Sequence, residues 1–96
     1  MATVELTRLA VDELETLIRT HSLPADTKQR VQASLRPLER FPRVGPELSG
    51  RYSGLRFLLG PWRWLLLVYT LDEANDRVTV VSVQDARSSG AATGTR

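Results

Sequence analysis

Residues 55–87 read LRFLLGPWRWLLLVYTLDEANDRVTVVSVQDAR, and this stretch decides the fold. Three runs rich in Leu, Val and aromatic residues are separated by two turn signals, Gly60-Pro61 and Asp72–Asp76. Branched and aromatic side chains suit a pleated, half-buried surface, whereas Gly, Pro, Asn and Asp supply turn conformations. The pattern predicts strands over 55–59, 62–71 and 77–84, joined as an antiparallel meander. Alternation along 62–71 sets Trp62, Trp64, Leu66, Val68 and Thr70 on one face. Arg63, Leu65, Leu67, Tyr69 and Leu71 fall on the other. Both faces are apolar, and two helices can cover only one. Either loops cover the second face, or a partner chain docks there on Trp62, Trp64, Leu66 and Val68.

Toward the N-terminus the period lengthens. From Arg8 to His21, apolar residues at Leu9, Ala10, Leu14, Leu17 and Ile18 draw one stripe on a helix, with Thr7 as its cap. A second helix is predicted over 24–40. Pro24 stands at its first position, Asp26 in its first turn, and Val31, Leu35 and Leu38 along one side. Pro37 has no N–H to donate, so a kink or a frayed last turn is expected there. Residues 2–6 make a short first strand, and 42–54, rich in Pro and Gly, make a loop. The reading is an α+β domain over residues 1–87: an N-terminal strand, a two-helix hairpin and a three-stranded antiparallel meander. Residues 88–96, SSGAATGTR, read as a flexible polar tail.

A chain of 96 residues fits one domain. A domain of this size buries only about 60–65% of its unfolded surface, so a partner can add much to its stability. There is no cysteine, which argues against a disulfide scaffold or a thiolate metal site. A lone histidine, His21, argues against a histidine-based one, so neither metal nor cofactor is expected. His21 reads as a helix C-terminal residue favoured by the helix dipole. The longest apolar run, Trp64–Tyr69, falls far short of the roughly 20 residues of a membrane helix. No stretch has the pattern of a signal peptide. The expectation is a soluble cytoplasmic protein without membrane contact.

The net charge of +2 hides a polarity. Of 13 basic residues, 12 are Arg. Residues 25–63 hold eight basic residues against three acids, while the flanking segments 1–24 and 64–87 are each net acidic. Such a middle is either one positive face or a solvated surface.

The order of the pieces resembles the RelE/ParE family of toxins from type II toxin–antitoxin systems. The leucine–glycine loop LSG (48–50) leads to a strand with a basic residue, Arg56. A Gly60-Pro61-Trp62-Arg63 step follows, then a Val68-Tyr69 strand, a turn with Asp, and a Val-rich strand ending at Arg87. LERFP (38–42) and LAVDELETL (9–17) fit as well, so the resemblance covers most of residues 3–87. It implies the fold already read from the residues. It also implies an antitoxin as protein partner, growth inhibition, and contact with operator DNA only through that antitoxin. The family's ribonuclease members are mRNA interferases, which cut messenger RNA on the ribosome. Arg56, Arg63 and Arg87 stand at the positions of their catalytic basic residues.

If Gly60-Pro61 closes a tight hairpin, Leu58 lies opposite Arg63, and Arg56 becomes its diagonal neighbour about 7–8 Å away. Two guanidinium forks at that spacing can grip one phosphate. If Asp72–Asp76 is a five-residue loop, Asp85 lies opposite Arg63, with Arg87 near the same face; a cross-strand ion pair is the alternative role for Arg63. Metal-independent RNA cleavage also needs a proton acceptor and donor, for which Glu47, Tyr52 and Asp85 are candidates. Arg36, Arg40, Arg43 and Arg51 are candidate RNA contacts. The paired arginines favour a RelE-like endoribonuclease bound to ribosome and mRNA. The tail's lack of Tyr or His favours a ParE-like, non-catalytic inhibitor of DNA gyrase. A catalytically silent antitoxin-binding relative is the third reading.

Overall fold

The computed structural model describes residues 1–88 and 90–93. Its strands are β1 (Thr3–Leu6), β2 (Arg56–Leu59), β3 (Leu65–Asp72) and β4 (Arg77–Asp85). Its helices are α1 (Arg8–Thr20) and α2 (Thr27–Leu35), and α2 runs on into a 3-10 turn, Arg36–Glu39. The four strands form one sheet in the order β1-β4-β3-β2. β2, β3 and β4 are the expected antiparallel meander, and β1 lies parallel to β4.

Local chemistry explains the helix ends. Thr7 Oγ1 accepts from the Ala10 N–H at 3.1 Å and so caps α1. α2 starts later than expected, because the Pro24 carbonyl accepts from both the Thr27 N–H (3.1 Å) and the Thr27 hydroxyl (2.6 Å). That closes a separate turn before the helix. At the other end the regular helix stops before Pro37 and tightens, as a residue without an N–H dictates.

The helices cover one face of the sheet. Ala10, Leu14, Val31, Leu35 and Leu38 pack on Leu65, Leu67, Tyr69, Val78 and Val80. The second face corrects an expectation. Leu66 and Val68, expected to receive a partner, are 0% exposed. Leu48, Tyr52, Leu55, Phe57 and Ala92 of the same chain cover them. The segment before β2 manages this because it is ordered against the sheet. Glu47 bridges Arg56, the Leu48 N–H bonds the Leu55 carbonyl at 2.8 Å, and a 3-10 turn over Gly50–Tyr52 folds it back. Of the expected tail, Ala91 is buried and the Ala92 N–H donates to Gln84 Oε1 at 2.7 Å. Residues 89 and 94–96 lie outside the described residues.

The register of the first hairpin is a second correction. Leu59 faces Leu66, Leu58 faces Leu67 and Arg56 faces Tyr69, so no tight turn forms at Gly60-Pro61. The chain runs through a loop closed by the Gly60 N–H to the Leu65 carbonyl (2.8 Å). Ending the strand at Leu65 frees Trp62 and Trp64 to pack on the helix side of the sheet. Burial of two indoles there outweighs the extra ladder bonds of a longer strand. The second turn is also one residue shorter than expected, since Asp72 pairs with Arg77. β4 then bulges, with Ser82 facing Val68 and Val80 facing Tyr69. Asp85 therefore lies opposite Leu65, not Arg63.

Candidate functional site

Three elements meet at one end of the sheet: the C-terminus of α1, the loop between β2 and β3, and the end of β4. His21 ends α1, its N–H bonded to the Leu17 carbonyl at 2.9 Å. Its ring stacks on Trp64, with centroids 5.0 Å apart and planes 16° apart. Trp62 lies beside Trp64 at 6.0 Å and the same angle. The Arg87 guanidinium sits 4.7 Å from the Trp64 ring centre, and that of Arg30 sits 5.9 Å from Trp62. The Trp64 carbonyl accepts from the Ala86 N–H at 2.7 Å, which ties the loop to the end of β4.

Asp85 is the polar hub. Arg87 donates to it from Nε and Nη2, each at 2.9 Å, and from its backbone N–H at 2.9 Å. His21 Nε2 lies 3.2 Å from Asp85 Oδ2. The bidentate Arg87 holds the Asp85 carboxyl well below the usual carboxylate range, against the opposing effect of burial. The same contact raises Arg87 further above its ordinary value. A carboxylate only accepts, so in the neutral imidazole Nε2 carries the proton and Nδ1 the lone pair. Nδ1 has the Thr20 hydroxyl at 3.0 Å. Arg63 lies exposed between the two tryptophans in the sequence and makes no ion pair among the described residues. The cluster thus joins cations, stacked aromatic rings and an oriented imidazole, a set suited to phosphates and bases.

Arg56 stands apart from this site. Its Nη1 donates to the Gly45 carbonyl (2.8 Å) and the Arg43 carbonyl (3.1 Å). The Tyr69 hydroxyl beside it donates to the Pro42 carbonyl (2.8 Å) and accepts from the Gly45 N–H (3.0 Å). Burial pushes the Tyr69 hydroxyl above its ordinary value. The expected pairing of Arg56 with Arg63 is therefore not formed: one sits in β2 holding a loop, and the other lies beyond the strand's end. Glu47 and Tyr52 belong to the segment covering the second face rather than to the cluster. Arg36, Arg40 and Arg51 are exposed, and Arg43 pairs with Glu73. Of the residues the sequence singled out, the structure unites Trp62, Trp64, Asp85 and Arg87. It adds His21, read from the sequence only as a helix end. Its link to Asp85 spans 64 positions, and no local pattern signals it.

A hollow of about 580 Å³ lies at the opposite end of the β3–β4 hairpin, between Phe41, Val44, Leu71 and Asp76. Its guanidinium, Arg43, is already paired with Glu73. Among the described residues no group of three metal-ligating side chains exists, and no helix is long and apolar enough to cross a membrane.

No protein-family model matches the chain, and no curated protein matches it in sequence. Solved structures do match. One is the chromosomal ParDE toxin–antitoxin system of P. aeruginosa: 13% identity, TM-score 0.68, covering 91% of this chain and 98% of that one. Another is the intact RelBE toxin–antitoxin complex of E. coli: 15% identity, TM-score 0.65, with 92% and 100% covered. A third is the RelBE2 toxin–antitoxin complex of Mycobacterium tuberculosis: 26% identity, TM-score 0.59, with 88% and 96% covered. The chain has the RelE/ParE fold, and it matches structures of that toxin family over most of its length.

Proposed function

We propose that this protein is the toxin of a type II toxin–antitoxin pair and inhibits growth by RelE-like, ribosome-dependent cleavage of messenger RNA. The observation that carries the reading is the cluster of Arg87, Trp62, Trp64, His21 and Asp85, with Arg63 exposed in its loop. Arg63 and Arg87 hold the phosphate, the indoles take neighbouring bases, and the exposed arginines 36, 40 and 51 lie against the RNA. The fold supports a protein antitoxin as partner, and operator DNA is reached through it. The site of action is the cytoplasm, where ribosome and message are found. The test is expression without any partner, with primer-extension mapping of cellular messages beside a gyrase supercoiling assay. Growth arrest with new message ends is expected, and growth restored by a neighbouring small protein.

One observation favours a second reading. The arginine pair expected to grip phosphate is broken up, because Arg56 is bound to loop carbonyls. A ParE-like inhibitor of gyrase needs no phosphate grip. Growth arrest with intact messages and lost supercoiling establishes that reading instead.

A further inference from the structure

The end of α1 holds an imidazole arranged as general bases commonly are: one nitrogen is fixed by a carboxylate, and the other has a hydroxyl as its only partner among the described residues. We infer that His21 Nδ1 is the proton acceptor that activates the attacking 2′-hydroxyl of an RNA strand lying across Trp64 and Arg87. The inference rests on the nuclease reading above. Asp85 is unsuited to the task, since Arg87 and His21 occupy its oxygens. No arginine can serve, because guanidinium keeps its proton at any working pH. Glu47 and Tyr52 lie in another part of the molecule.

The geometry assigns each neighbour a part. Asp85 accepts from Nε2, which sets the tautomer and offsets the charge that the ring gains on protonation. Trp64 stacks on the ring and fixes its plane. Thr20 is exposed, and its hydroxyl can turn away from Nδ1 when a substrate hydroxyl arrives. In the reaction the 2′-hydroxyl proton passes to Nδ1. The freed electron pair forms the bond from the 2′-oxygen to phosphorus, and the bond from phosphorus to the 5′-oxygen breaks. A solvent water protonates that leaving oxygen. The hydroxide so made then takes the proton back from the imidazolium, so no net proton is consumed. The products are a 2′,3′-cyclic phosphate and a 5′-hydroxyl.

The charged groups around the ring are Asp85 and Arg87 from the end of β4, and Arg30 of α2 beyond Trp62; Arg19 precedes it on α1. The test is single-turnover cleavage of ribosome-bound message by the purified protein and by His21→Phe, which keeps an aromatic ring on Trp64. A melting curve shows that the variant folds. His21→Phe should cleave about 10²–10⁴-fold more slowly, the typical contribution of a positioned acid–base group. It should bind a 2′-deoxy substrate as the parent does. His21→Gly with added imidazole should recover part of the rate. Wild-type-like cleavage by folded His21→Phe overturns the inference and leaves the nuclease reading standing. A parent protein that cuts no message on the ribosome overturns both.

Discussion

Arg56 and Arg87 occupy comparable places in the sequence pattern, each at a strand end beside apolar residues, yet the structure uses them in opposite ways. Arg56 gives its N–H groups to two neutral carbonyls, Gly45 and Arg43, and so fastens the segment before β2. Arg87 is held by one carboxylate and lies over an indole, with its side chain largely open to solvent. The partner decides the role. A guanidinium that ties two loop carbonyls together is needed where it is, because those acceptors lose hydrogen bonds if it leaves. A guanidinium at a wet carboxylate can be taken up by a phosphate with little cost to the fold.

This contrast can be broken at several points. The largest stability effect is expected at Gly45. A Cβ there would stand 2.3 Å from the Phe57 carbonyl oxygen and 2.7 Å from the Tyr69 hydroxyl. Gly45→Ala should lower unfolding stability by about 3 kcal/mol, the upper end for overpacking a well-filled site, as read by urea titration. Tyr69→Phe strips partners from the Pro42 carbonyl and the Gly45 N–H, at about 2 kcal/mol for groups left unpaired. Its pH signature has a definite sign. The buried hydroxyl holds its proton more tightly in the folded state. Its contribution is thus whole below the ordinary tyrosine value near 10, and is lost as pH rises through the elevated folded one. Tyr69→Phe should lack that alkaline loss in melting curves.

Arg56→Ala should cost about 1–2 kcal/mol through its two carbonyl bonds, with ribosome-dependent cleavage retained in the folded fraction. Arg87→Ala should show the reverse. Its melting temperature at neutral pH should stay close to the parent's, while toxicity on expression is lost. Asp85 adds an acid-side mark. Its carboxyl is depressed in the fold, so its contribution is present above the ordinary carboxylate range and is lost as pH falls toward the folded value. Arg87→Ala should flatten that acid-side decline, the smallest of these effects. If Arg56→Ala abolishes toxicity while folding normally, the division of labour between the two arginines is wrong.

What the sequence made legible follows the range of the physics. Thr7 as a cap, Pro37 as the end of regular helix and the turn at 73–76 are local effects, and each lies within a residue or two of its expected place. The antiparallel meander was legible because three apolar runs with turn residues between them have few other arrangements. The register at Gly60-Pro61 was not, because tight and wide loops are both open to that dipeptide. Where Trp62 and Trp64 gain most burial settled it, and that depends on the helices. The cover on Leu66 and Val68 was legible only as one of two alternatives, for a similar reason. Leu48 and Tyr52 are sparse apolar points in a segment with the composition of a loop. Of the site, Asp85, Arg87 and the tryptophans could be singled out, but the place of His21 depends on how α1 crosses β4.

The parallel pairing of β1 with β4 sets a timetable. Thr3 finds its neighbour at Arg77, and Leu6 finds its own at Val80. A chain emerging from the ribosome at about 5–20 residues per second exposes β1 several seconds before the strand it needs. Until then Val4 and Leu6 have only the helical segments and each other for company. The site is assembled just as late, since residues 21, 62–64 and 85–87 come from three separate parts of the chain. Contacts of such long sequence separation are slow to form. The half-made protein therefore carries neither a finished sheet nor a finished site, and whatever the cluster does cannot begin before residues 85–87 have been made.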